Sequence, residues 1–418
     1  MLANKLYNKN IYAQDSTVGI SLAIVLSIVI IVFPFVGFCL SLMFFRQKIA
    51  PWLFIAFAFY FGWFYEPQMD LLVHYEHFLR LIGKSLFEAW TDPKTTALGK
   101  EPYPVLFKYL LGHISTSPNL FSACACAIYT ALFVFGIVKP LRPLFIQRMS
   151  LPAWLLFLGV IFVIEYYWFL GFRFWSGAFV FTGFYLRYIN TGKIKYLWLS
   201  SLCTCFHYSL FVLCVIAILN LILRCKIKFY YLIFAVSIVV RFLKIGLIWT
   251  IAQFGIFDNY VKDTVRNQSV IQSVRQVAEN VRESGNWFYL YREAVIFLGV
   301  LAVIYILYKK VGKDFIEQNT NLWGFCILLF SLANFGYVSL TFYDRFFKIA
   351  LLFLCVFAYM WVMSVQYKLD RRSQLQLALI AFLPIAYSVI TPMIEQRQTL
   401  FALKLWFSNF LTHFVCCS

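Results

Sequence analysis

The sequence predicts an all-α, polytopic integral membrane protein, and three observations carry the prediction. Hydrophobic residues make up 62% of the chain and charged residues only 13%, with a mean hydropathy of +0.78, whereas a soluble domain keeps about 25% of its residues charged. Apolar runs follow one another along the chain, each near the roughly 20 residues that a helix needs to cross hydrocarbon. Lysines and arginines gather in the short breaks between the runs. The net charge of +18 therefore reads as membrane orientation, with the lipid bilayer as partner and no nucleic acid.

The first run, 17–45, is too long, and too poor in small residues at its end, for a cleaved signal peptide, and is expected to remain as a helix. Six basic clusters then fall on the cytoplasmic side by the positive-inside rule. They are Arg46 and Lys48; Lys139, Arg142 and Arg148; Arg187, Lys193 and Lys195; Arg224, Lys226 and Lys228; Lys309, Lys310 and Lys313; and Lys368, Arg371 and Arg372. Helices between them are expected at 17–45, 50–66, 119–138, 152–170, 174–188, 196–206, 208–223, 229–254, 287–308, 321–338, 346–365 and 374–392. This gives about twelve crossings in a single transmembrane domain, 1–418, with both termini outside. Residues 193–228 strain the scheme, because the basic clusters at their two ends want the same side. Two short or broken helices turning at "CTCFHYS" would resolve it and put His207 at the outer face; a single tilted helix would invert everything downstream.

Most polar residues fall outside. Loop 67–104 opens with an amphipathic stretch from Asp70 to about Trp90, continues through a turn-rich piece and reaches Glu101-Pro102. The following "VLFKYLLGHISTSPN" is apolar at helical spacing but too short to span, which predicts a helix dipping into the outer leaflet. Loop 255–286 is polar and helix-prone, and with 67–118 it is expected to form an outer-face site. A third, very short loop brings Asp344 and Arg345 to the start of a span.

Within "GFRFWSGAFVFTGFYLRYIN", Arg173 has no acid within five residues on either side. A guanidinium at a membrane edge must be paired, snorkelled or set in a polar cavity. For one arginine, a snorkelling anchor suffices, and Arg345 has Asp344 beside it. Arg173, Arg345 and His207 on one face beside an acidic loop point instead to a shared anion site, and guanidinium forks suit phosphate. An anionic lipid head group lies at that depth. The eleven cysteines sit mostly inside spans and lack zinc-site spacing, and His74 and His77 are the only neighbouring histidines. Phosphate-loop, zinc-protease and hydrolase motifs are absent, and neither a metal nor a cofactor is expected.

The stretch "FRFWSGAFVFTGFYLRYINTGKIKYLWLSSLCTCFHYSL" resembles the EpsG family of exopolysaccharide polymerases, relatives of the Wzy-type O-antigen polymerases. The likeness lies in an arginine opening a span, a basic turn, and a short helix ending in Phe-His and a small hydroxyl residue. "MDLLVHYEHF", "KEPYPVLFKYLLGHI" and "YDRFFKIALLFL" extend it over 60–365 in the family's order. Phe174 and Trp175 stand where the family usually has a polar residue and a small one. The resemblance implies a C-type glycosyltransferase that joins oligosaccharide repeats carried on undecaprenyl pyrophosphate, at the outer face of the bacterial inner membrane, without a nucleotide sugar. Donor and acceptor are then both lipid-linked glycans, and a chain-length regulator is a candidate partner.

Such a reaction needs fixed cations for the departing pyrophosphate, for which Arg173 and Arg345 are the candidates. It also needs a base for the attacking sugar hydroxyl: His207, or Asp70 or Glu101 if burial raises their pKa. The other reading of His207 is a cap on the hairpin turn. Tyr75, Tyr103 and Trp90 are candidates for stacking on sugars, with His74 and Asp344 beside the substrate. Two rival classes remain: an O-antigen ligase or another lipid-linked-sugar C-type glycosyltransferase, and a flippase or transporter. Transport predicts paired internal repeats with broken helices, which are not seen, and mid-membrane polar residues, for which only Glu165, Arg241 and Lys244 qualify.

Overall fold

A computed structural model describes residues 50–65, 69–93, 101–145, 149–164, 171–223, 226–243, 287–337 and 340–395, with isolated positions at 24–25, 28–29, 36–37, 67 and 95. Most of the first expected span, the whole loop 255–286, the residues after 395, Glu165 and Lys244 lie outside the described residues. Every regular element among those described is helical. In chain order these are α1 (Ala50–Trp63), α2 (Met69–Leu81), α3 (Leu86–Thr91), α4 (Pro102–Gly112), α5 (Pro118–Phe133), α6 (Leu151–Phe162) and α7 (Phe172–Thr191). They continue with α8 (Ile194–Ser200), α9 (Phe211–Leu223), α10 (Ile227–Phe242), α11 (Trp287–Val311), α12 (Thr320–Phe335), α13 (Leu340–Val365) and α14 (Arg371–Glu395).

Local chemistry sets several boundaries. Ser85 and Glu88 form a reciprocal capping box at the start of α3. Pro102 and Pro118 open α4 and α5, where the missing N–H costs nothing and φ is already helical. Beyond Phe133, α5 runs on through a π-helical turn, Val134–Val138, into Lys139–Phe145. Gly192 ends α7 at φ +68°, a left-handed conformation that a residue with a Cβ adopts only at a cost. Pro118–Leu141, Ala294–Val311 and Phe342–Lys368 are long and apolar enough to cross a membrane. Shorter apolar helices occupy Pro51–Trp63, Leu151–Phe162, Tyr208–Leu223 and Thr320–Phe335. The chain is a membrane protein.

The described chain forms two compact units. The first holds the described residues of 24–145 and 171–215, and the second those of 149–164 and 216–395. In the second, α13 is almost wholly buried, with α6, α11 and α12 packed on it, while α14 packs on α6 and α11 and α10 on α12. Beyond Lys348, α13 is apolar on every side, as a helix buried in the core of a bundle is. In the first unit, α1 packs on α5, and α7 on α5 and its π-turn. The crossing of α5 and α7 depends on paired glycines, since a Cβ on Gly183 would lie 2.6 Å from Gly136 Cα. Gly183→Val should drive these helices apart and leave little protein in the membrane. Membrane abundance and the gel-filtration profile in detergent report this; a wild-type level and peak would show that the crossing is not needed.

After α7 the chain turns back. Helix α8 and the 3₁₀ turn Ser201–Cys205 pack along α7, where the lack of a side chain on Gly177 leaves room for Cys203 O and Phe206 Cβ, 2.9 and 2.8 Å from the place a Cβ would occupy. Cys203 Sγ lies 3.8 Å from Cys214 Sγ, although eleven residues of continuous helix would separate them by about 16 Å. The chain therefore reverses between these cysteines, as two short helices require and one long helix does not allow. His207, extended at φ −157° and ψ 121°, sits in the bend.

Candidate active site around Arg173

Arg173 lies in the first turn of α7, and its partners come from far along the chain. Its Nη1 donates to Glu101 Oε2 at 2.8 Å and its Nη2 to Asp70 Oδ1 at 3.3 Å. Asp70 belongs to the first turn of α2, and Glu101 is the N-cap residue of α4. Glu101 is only 4% exposed, so its carboxylate needs a partner at each oxygen. Its Oε1 accepts from the Tyr208 N–H at 3.2 Å and lies 3.7 Å from His207 Nδ1. Tyr208 begins a 3₁₀ turn, where the first amide hydrogens have no partner within the helix, and the carboxylate supplies one. Glu101 thus ties together α4, α7 and the hairpin bend.

His207 is oriented by the same turn. Its Nδ1 accepts from the Ser209 N–H at 3.3 Å and lies 2.8 Å from Ser209 Oγ. A ring that accepts at Nδ1 carries its hydrogen on Nε2, so neutral His207 caps the turn and is a donor through its other nitrogen. Burial raises the pKa of Glu101 above its ordinary 4.5, with the Arg173 charge pulling the other way. A carboxyl whose pKa is moved toward neutrality is suited to taking up and giving back a proton.

Behind Asp70 lies a second polar cluster. His74 and His77 are fully buried and Lys108 is 2% exposed. Lys108 Nζ lies 2.7 Å from His77 Nδ1 and 3.3 Å from His74 Nδ1. His77 Nε2 lies 3.1 Å from Thr95 Oγ1 and 3.5 Å from Asp92 Oδ1, and Asp92 pairs with Lys84 at 2.7 Å. Burial, and next the Arg173 charge, bring the Lys108 pKa down to about 7, against the pull of Asp70, Glu101 and Asp92. Burial lowers His74 well below its usual value, so the imidazole is neutral. Sequence reasoning missed Lys108, which reads as one cation on a short apolar helix; the signal was a lysine on a helix whose other faces are apolar.

The aromatic candidates pack against other rings and apolar side chains. Tyr103 lies against Phe206, with ring centroids 4.3 Å apart, and against Phe172 at 5.6 Å. Tyr75 donates its hydroxyl to Thr116 O at 3.1 Å and packs on Phe121. Trp90 packs against Leu81, Ala89 and Val105. The second unit contains Asp344 and Arg345, at the start of α13, where Asp344 pairs with Lys348 at 3.0 Å. There too Arg241 donates to Asn334 Oδ1 and to the Tyr343 hydroxyl, both at 3.1 Å, with the Tyr337 and Tyr343 rings 4.7 and 4.8 Å away. Arg173, Asp70, Glu101, His207 and His74 are brought together in the first unit.

Apolar helices of spanning length and a partly buried cluster of arginine, carboxylates and imidazoles define a helical membrane protein with a charged site built from distant parts of its chain. The chain belongs to the EpsG family, a family of Wzy-type polysaccharide polymerases, whose model matches residues 48–403. No curated protein and no solved structure matches the chain.

Proposed function

We propose that the protein is a glycosyltransferase that polymerises oligosaccharide repeats carried on undecaprenyl pyrophosphate, at the outer face of the bacterial inner membrane. Family membership supports the class. The observation that carries the site is Arg173 held between Glu101 and Asp70. In this reading about twelve helices cross the membrane, loops 67–118 and 255–286 face outward, and a chain-length regulator is a partner. The Arg173 fork takes the donor's pyrophosphate, where charge grows as the bond from the sugar's anomeric carbon to phosphate oxygen breaks. The acceptor hydroxyl oxygen forms the new bond to that carbon, and its proton passes to Glu101. Undecaprenyl pyrophosphate leaves. The His207 Nε2–H is a donor for an oxygen of either substrate, and Arg345 is a second cation for phosphate.

Two carboxylates on one arginine keep the guanidinium paired and oriented until an anion competes for it. The reading is tested by deleting the gene in its own cells. Lipid-linked single repeats should then accumulate and long chains vanish, with both restored by the intact gene. Long chains that persist on the carrier lipid, with only their transfer to a final acceptor lost, would mark a ligase instead.

A further inference from the structure

Asp70 Oδ1 stands between two donors. It accepts from Arg173 Nη2 at 3.3 Å and lies 3.6 Å from His74 Nε2, a buried nitrogen that no hydrogen bond satisfies. Which nitrogen of His74 holds the hydrogen is decided from behind. The Thr95 hydroxyl donates to Ala89 O at 2.8 Å, which leaves Thr95 Oγ1 to accept from His77 Nε2 at 3.1 Å. His77 therefore turns its Nδ1 lone pair toward Lys108, 2.7 Å away. Lys108 also reaches His74 Nδ1 at 3.3 Å, and an amine between two ring nitrogens donates to both. His74 is left with its hydrogen on Nε2, aimed at Asp70. A buried N–H without an acceptor is rare and costly. Its presence beside a half-exposed carboxylate points to a second arrangement in which the two meet.

The resting site gives a reason for the exchange. A phosphate on the Arg173 fork competes with Asp70 at Nη2 and adds a third anion beside Glu101. Three anions around one guanidinium would repel one another. Glu101 is 4% exposed and held at both oxygens, whereas Asp70 is 40% exposed. We propose that Asp70 is an exchangeable counter-ion: when a phosphate takes the Arg173 fork, the Asp70 carboxylate turns to the His74 Nε2–H, and Lys108 is the positioning residue that keeps that hydrogen in place. This rests on the reading of Arg173 as the phosphate's partner.

The test is calorimetric titration of the purified full-length protein in detergent with farnesyl pyrophosphate, a short lipid pyrophosphate. The wild type should bind. His74→Phe, which keeps a ring against Phe172 but has no N–H, should weaken binding about tenfold or more, the effect of stranding a charged group without its donor. Lys108→Met should do the same, and the two together should cost no more than either, since both act on one hydrogen. His74→Gln restores an N–H near Nε2 without a tautomer to fix. It should bind nearly as the wild type does and be indifferent to Lys108→Met. Binding unchanged by His74→Phe and Lys108→Met would overturn the exchange while leaving Arg173 its role. If His74→Phe does not fold, an equal loss from Lys108→Met in the wild-type and His74→Gln backgrounds would overturn it. Failure of the wild type to bind, or full binding by Arg173→Gln, would instead remove the reading on which the exchange rests.

Discussion

Replacing Arg173 by lysine is expected to abolish visible chain extension at unchanged membrane abundance. The guanidinium spans two carboxylates that arrive from different helices, with Nη1 on Glu101 and Nη2 on Asp70. An ammonium is a point charge on a flexible stem and cannot reproduce the planar fork toward carboxylate or phosphate. Removing one preorganised donor from a developing oxyanion costs about 10²–10³-fold in rate, which suffices to erase a polymer ladder. The measurement is ladder length on a gel, with protein level matched in the membrane. Wild-type ladders from Arg173→Lys would reduce the residue to an anchor. Arg345→Lys is the companion variant for the second unit.

Glu101→Gln is expected to be as damaging for a different reason. Glutamine keeps the volume, and its carbonyl oxygen accepts from Arg173 or from the Tyr208 N–H while its NH2 faces the other donor; it cannot take a proton, and membrane abundance is matched to separate that loss from a loosened hairpin. Loss of a general base costs about 10²–10⁴-fold. The pH profile distinguishes base from scaffold. Burial raises the Glu101 pKa above 4.5, so the active carboxylate is present above that raised value and is lost as pH falls through it. Wild-type activity should therefore drop on the acid side at a pH above the ordinary glutamate value of 4.5. The residual activity of Glu101→Gln should lack that limb. His207→Asn keeps an acceptor for the Ser209 N–H while removing the Nε2–H. A full ladder from that variant would leave His207 as a cap only.

The membrane class was legible because burial in lipid demands long apolar runs with satisfied backbones, a demand written in composition. The reversal around His207 was one of two readings that the basic clusters at both ends of 193–228 left open, and the Cys203–Cys214 approach selects it. Arg173 was flagged as a cation without a local acid, but its partners lie 72 and 103 residues away in the chain. No spacing rule reaches that far. Glu101 before Pro102 reads as a helix start, which hides that its carboxylate turns to another helix altogether. His74 and His77 share a face by their spacing, yet nothing local shows that a lysine on α4 lies between them. The aromatic residues were least legible: with 21% of the chain aromatic, ring-on-ring packing of the kind that holds Tyr103 and Tyr75 is the rule.

We propose that one lipid-linked repeat serves as both donor and acceptor and is extended at the Arg173–Glu101 cluster. The most direct measurement gives purified protein in liposomes a single lipid-linked repeat and nothing else, and compares the wild type with Glu101→Gln. A ladder of products is expected from the wild type, and from Glu101→Gln a repeat that is bound but left unextended. An equal ladder from both proteins, or a wild type that transfers the repeat only after a different acceptor lipid is added, would contradict the proposal.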